Sequence, residues 1–129
     1  MFFRQLTQRK RVVSLIGAGT RIIGTVKFHD DLRIDGEIRG DVCSDNESST
    51  LVVSEHGLID GSARASHLIV SGTILGTAVA DNLELRPTSR ITGDVAYGVI
   101  EVPPGVVIQG RLTCHRGEPT PFTESTNMI

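Results

Sequence analysis

Aromatic residues are scarce: the chain of 129 residues has four Phe, one Tyr and no Trp. Any core must therefore be aliphatic. Cysteine is as scarce. Cys43 and Cys114 lie far apart and form no CxxC pair, which argues against a disulfide framework or a zinc site and suits a reduced, cytoplasmic setting. No run of about 18 apolar residues occurs, so no transmembrane helix is expected. The opening stretch lacks the apolar centre of a secretory signal, and export is not expected. Acidic residues are missing from the first 29 positions, which carry Arg4, Arg9, Lys10, Arg11, Arg21 and Lys27. The other 100 positions hold 7 basic and 15 acidic side chains, a net charge of -8. A basic, aromatic-tipped N-terminus thus precedes an acidic body.

What the chain does have is a repeat. Gly24, Gly40, Gly61, Gly76, Gly93 and Gly110 are spaced by 16, 21, 15, 17 and 17 residues. Two positions before each stands Ile: Ile22, Ile38, Ile59, Ile74, Ile91 and Ile108. Two positions after each stands an aliphatic residue: Val26, Val42, Ala63, Ala78, Val95 and Leu112. Upstream lies a second column of alternating apolar pairs: Leu32/Ile34, Leu51/Val53, Leu68/Val70, Leu83/Leu85 and Ile100/Val102, with Leu15 as a weaker first member. Turn residues separate the columns, among them Asp35-Gly36, Ser71-Gly72 and Pro103-Pro104-Gly105. The long interval holds a polar insertion over residues 44–49.

Alternation within a period of about 17 means short strands with one face inward. The apolar positions do not follow helical spacing, and Gly or Pro interrupts them every few residues. So short a unit cannot bury its own apolar face, whereas stacked units can. The predicted architecture is an all-β, right-handed parallel β-helix of six coils. Each coil pairs with the next at about 4.8 Å, giving a rod roughly 25–30 Å long. The six Ile would stack as a core ladder. Left-handed β-helices keep strict hexapeptides, about 18 residues per coil. The variable coil length here, with the usual crossover hand, favours the right-handed form.

The run Gly17-Ala18-Gly19-Thr20-Arg21-Ile22-Ile23-Gly24-Thr25-Val26, followed by Leu32-Arg33-Ile34-Asp35-Gly36-Glu37-Ile38-Arg39-Gly40-Asp41-Val42, resembles the opening of a bactofilin domain. Residues 83–95 and 100–112 are similar to its closing repeats. The resemblance covers about residues 14–114, leaving tails at 1–13 and 115–129. It implies a right-handed β-helix that polymerises without nucleotide into non-polar filaments. It further implies a membrane-associated bacterial scaffold that recruits cell-wall enzymes and influences shape.

The residues bear on polymerisation directly. Open ends of a solenoid expose strand edges over an apolar core. The first coil, with Leu15 and Ile16, has no capping helix before it. The last, with Val106, Val107, Ile108 and Leu112, is followed by a polar, proline-containing segment expected to be disordered. Uncapped ends predict stacking of one copy on another; isologous junctions would make the filament non-polar. Val52 and Ile69, outward on adjacent coils, are a candidate lateral contact. Met1, Phe2 and Phe3 with Arg4, Arg9, Lys10 and Arg11 suit a peripheral tether to the inner face of the cytoplasmic membrane, with rings at the lipid interface and cations on anionic headgroups. Nucleic-acid binding is not expected, because the acidic body repels phosphate.

Catalytic chemistry is not expected. Asp41 and Asp94 stand about 14 Å apart, beyond the reach of a glycosidase pair. Glu84 and Glu101 would stack on adjacent coils, but no cleft is implied. Arg39 and Asp60 suggest a surface ion pair. His29, His56, His67 and His115 are scattered. No phosphate-binding loop GxxxxGK[ST] occurs, so no nucleotide or other cofactor is expected. The alternatives are a trimeric left-handed β-helix acyltransferase and a monomeric adaptor solenoid.

Overall fold

The computed structural model describes residues 13–45 and 47–114. Every regular element in it is a strand, and every pairing is parallel. The first coil comprises β1 (Val13–Ile16), β2 (Arg21–Ile23) and β3 (Val26–Phe28). The second comprises β4 (Asp31–Ile34), β5 (Glu37–Arg39) and β6 (Val42–Ser44). The third runs through β7 (Thr50–Val53) and β8 (Leu58–Asp60) into the start of β9 (Ala63–Val70). From there the strands that close one coil open the next. β10 (Thr73–Leu75) leads into β11 (Ala78–Leu85), β12 (Arg90–Thr92) into β13 (Val95–Glu101), and β14 (Val107–Gln109) into β15 (Leu112–Cys114).

The result is a solenoid of about six coils with three faces. The middle face is a six-stranded sheet in the order β14-β12-β10-β8-β5-β2. The other two faces merge into one nine-stranded sheet, because β9, β11 and β13 each continue around a corner. Sequence alternation separates only two columns. The third face is hidden because the bend positions share no turn signature.

Side chains repeat from coil to coil because parallel strands align like with like. Ile22, Ile38, Ile59, Ile74, Ile91 and Ile108 are in direct register. So are Leu32, Leu51, Leu68, Leu83 and Ile100. The four central Ile are at most 1% exposed. Burying each contributes roughly 1.5–3 kcal/mol, set against the entropy of ordering a short coil.

The recurring glycine has a steric cause. Gly40 and Gly76 hold φ at 147° and 155°. A Cβ on either would overlap the carbonyl oxygen of the glycine one coil earlier, Gly24 or Gly61. Both the backbone angle and the close approach exclude a side chain there.

One expectation is corrected by the register. Leu15 does not begin the inward column: it aligns with Arg33 on the outward row, whereas Ile16 aligns with buried Ile34. Both residues are apolar, so alternation alone cannot choose between them; pairing with β4 does.

Candidate assembly surfaces

The two ends of the rod differ from its middle in a simple way. The partly buried apolar residues packed against the core are Ile16, Ile22, Val26, Phe28, Ile100, Val106, Ile108 and Cys114. The first four lie in the first coil and the last four in the sixth. They are inward-facing members of the same columns that are sealed elsewhere. Ile22 and Ile108 end the ladder in which Ile59 and Ile74 are fully buried. Among the described residues each terminal rung has a neighbour on one side only, and its apolar surface is half open.

The same ends carry the sheet edges. β2 and β14 terminate the six-stranded sheet, and β1 and β15 terminate the main path of the other. Edge strands offer backbone donors and acceptors to another chain. The ends therefore combine open apolar rungs with strand edges.

The sequence-selected junction residues are placed as follows. Ile16, Val106 and Ile108 pack on the core at the end coils. Leu15 and Val107 point outward on the flanks, 61% and 40% exposed; Val107 aligns with Arg90. Leu112 is buried, packed in register with Val95. The third face therefore offers the backbone edge of β15 rather than the Leu112 side chain. Sequence reasoning missed Val26, Phe28 and Ile100 as end contacts. Their signal was available: each belongs to an inward column in a first or last coil.

Val52 and Ile69 are neighbours on the outward row of the first face. That row reads Leu15, Arg33, Val52, Ile69, Glu84, Glu101, so the aliphatic pair is bounded by a cation and an anion. Both residues are half-buried. The tail residues Met1, Phe2, Phe3, Arg4, Arg9, Lys10 and Arg11 lie outside the described residues.

Charge on the flanks is organised as short local bridges. Arg39 bonds Glu37 of its own strand at 2.9 Å, and Asp60 adds only Coulombic attraction to it. The expected Arg39–Asp60 pair is thus corrected, because Glu37 reaches the guanidinium first. Arg21 also meets Glu37, at 3.3 Å. Hydrogen bonding to Arg39, with Arg21 nearby, holds the Glu37 carboxyl below its ordinary range. Hydrogen bonds from Ser54 and Arg33 do the same for Asp35. Glu84 and Glu101 are in register, and Arg86 bonds Glu84 at 3.0 Å. Asp41 accepts hydrogen bonds from the Ser62 amide and hydroxyl. Among the described residues, no group of three His, Cys, Asp or Glu could hold a metal ion, and no helix is long and apolar enough to cross a membrane.

Comparison with known proteins places this geometry. Residues 14–113 match a family model described as Bactofilin, polymer-forming cytoskeletal. No curated protein matches the chain. Among solved structures, the cytoskeletal bactofilin BacA, determined by solid-state NMR, is similar at 31% identity and a TM-score of 0.72; the match covers 82% of this chain and 99% of that one.

Proposed function

This chain belongs to the bactofilin family of polymer-forming cytoskeletal proteins, and on that premise we propose that it assembles end to end through its terminal coils, without nucleotide, into filaments held at the cytoplasmic membrane. The observation that carries the reading is that the half-open apolar residues packed against the core lie in the first and last coils. Stacking a second copy on either end would extend all three faces and seal those rungs. Completing the burial of one such aliphatic side chain is worth about 1 kcal/mol, so three per end, joined by Phe28 or Cys114, plus edge-strand pairing supply a usable contact. Burial and strand pairing supply the driving force for this association without nucleotide.

The N-terminal segment supplies the membrane contact. Its cations each add about 1 kcal/mol near an anionic surface, weak singly but multiplied along a filament. Isologous junctions leave the filament without polarity, and its regular surface is then available to recruit cell-wall enzymes as clients.

Negative-stain electron microscopy of nucleotide-free protein, with and without residues 1–11, tests the assembly. Filaments are expected from both. Co-sedimentation with vesicles containing an anionic lipid is expected only for the full chain. Discrete small particles from the full chain would contradict end-to-end assembly, and equal vesicle binding by the two forms would contradict the tether.

A further inference from the structure

The corner between the first and middle faces is toothed. Its connections span residues 17–20, 35–36, 54–57, 71–72 and 86–89 in successive coils, so four-residue loops alternate with two-residue turns. The sixth connection, 102–106, is again long. The short turns are recessed. Asp35 and Ser71 are only half-exposed, and a Cβ on Gly36 would strike the carbonyls of Gly17 and Thr20 at the base of the preceding loop. The long loops project, with Glu55, His56, Arg86, Pro87 and Thr88 exposed. They are also held firmly: Ser54 Oγ donates to the Ile34 carbonyl at 3.1 Å, and Thr88 Oγ1 to the Ser71 carbonyl at 2.7 Å. Along this corner a single groove touches Ala18, Asp35, His56, Ser71 and Arg86.

Teeth two coils apart repeat at about 9.6 Å, and each notch lies one coil from a tooth. Over the four central coils such an edge is complementary to itself when a second copy runs antiparallel in full overlap, coil two opposite coil five and coil three opposite coil four. We propose that this corner is a lateral interface between two copies of the chain related by a two-fold axis. The 86–89 loop of each copy seats over the Asp35-Gly36 turn of the other, and the 54–57 loops seat over the Ser71-Gly72 turns. Charge selects this pairing. Arg86 carries Glu84 at 3.0 Å and Asp35 carries Arg33 at 3.1 Å, so docking produces the alternating series Glu84, Arg86, Asp35, Arg33 across the axis, twice. The remaining corners, 17–20 and 102–106, face each other at the two outer edges, where the Gly17-Ala18-Gly19 loop is small. Val52 lines the same groove, so the outward aliphatic step of the first face lies at the margin of the contact.

The interface deepens the filament reading and relies on it only for a readout. The test is the paired fraction and the length of filaments from full-length protein in electron micrographs. Wild-type filaments should be paired. Arg86→Asp should lower pairing by about fivefold or more, the loss of two partly exposed ion pairs, while filament length is unchanged. Asp35→Arg should do the same, and the double variant should restore pairing. A second measurement does not depend on those charges. With Cys43→Ser and Cys114→Ser, the pair Asp35→Cys and Pro87→Cys is three coils apart within one chain, about 14 Å, and should form disulfides only between copies. Unpaired wild-type filaments, unchanged pairing in Arg86→Asp, or the absence of cross-linked dimer would each overturn the proposal. Shortened filaments with pairing retained would count against the end junctions instead.

Discussion

At the scale of single residues, position along the rod decides how much a side chain matters. Ile74 has a coil above and below it and is fully buried; Ile108 belongs to the same ladder but has a neighbour on one side only. Ile74→Ala should cost about 2–5 kcal/mol through transfer and cavity terms, and Ile108→Ala roughly half as much or less. Thermal melting by circular dichroism should rank the variants in that order; equal melting temperatures would contradict the ladder. The two tuned carboxylates give a pH dependence. Asp35 and Glu37 are both held below their ordinary values of 3.8 and 4.5. Depressed folded-state values favour the folded chain at neutral pH, and that contribution is lost as pH falls through the ordinary values into the folded ones. Asp35→Asn with Glu37→Gln should flatten the decline in melting temperature below about pH 4.5; an unchanged slope would show that other groups control acid unfolding. The ladder was legible because one residue type recurs at one offset from a glycine. The partner of Arg39 was not, because Glu37 and Asp60 are equally plausible from spacing and only side-chain reach separates them.

At the scale of elements, the terminal coils are the weak and the reactive parts of the fold. Among the described residues their strands have one hydrogen-bonded neighbour instead of two, and their inward residues are half open. Ile108→Arg should leave the sheet spectrum intact while capping that end with a charge. Sedimentation velocity should then show short species in place of filaments, ending at dimers if the opposite junction is isologous. Long filaments from this variant would remove the last coil from the junction. Coil number and strand content were legible from alternation inside the period. The third face was not, since β9, β11 and β13 turn the corner within a continuous strand, and the corner positions Ser66, Asp81 and Gly98 share no turn signature. The register of β1 was also closed to sequence reasoning: Leu15 and Ile16 are equally apolar, and the choice belongs to β4. The toothed corner was present as loop lengths, but recess and projection emerge only when the coils are stacked.

At the scale of the whole molecule, a rod with sealed sides and open ends is a unit for one-dimensional growth. The sides carry bridged charges and the ends carry apolar rungs, so growth along the axis buries more than sideways contact does. Self-association was legible in the sequence as uncapped ends. Tail function was legible only as composition, since residues 1–12 lie outside the described structure. The central claim is that the solenoid axis is the filament axis, and X-ray diffraction from aligned filaments measures it directly. A reflection near 4.8 Å is expected along the filament axis, from coil-to-coil spacing, with an axial advance of about 29 Å for each protomer. A 4.8 Å reflection lying across the filament axis would contradict it, because the rods would then be packed sideways and their open ends would not be the junctions.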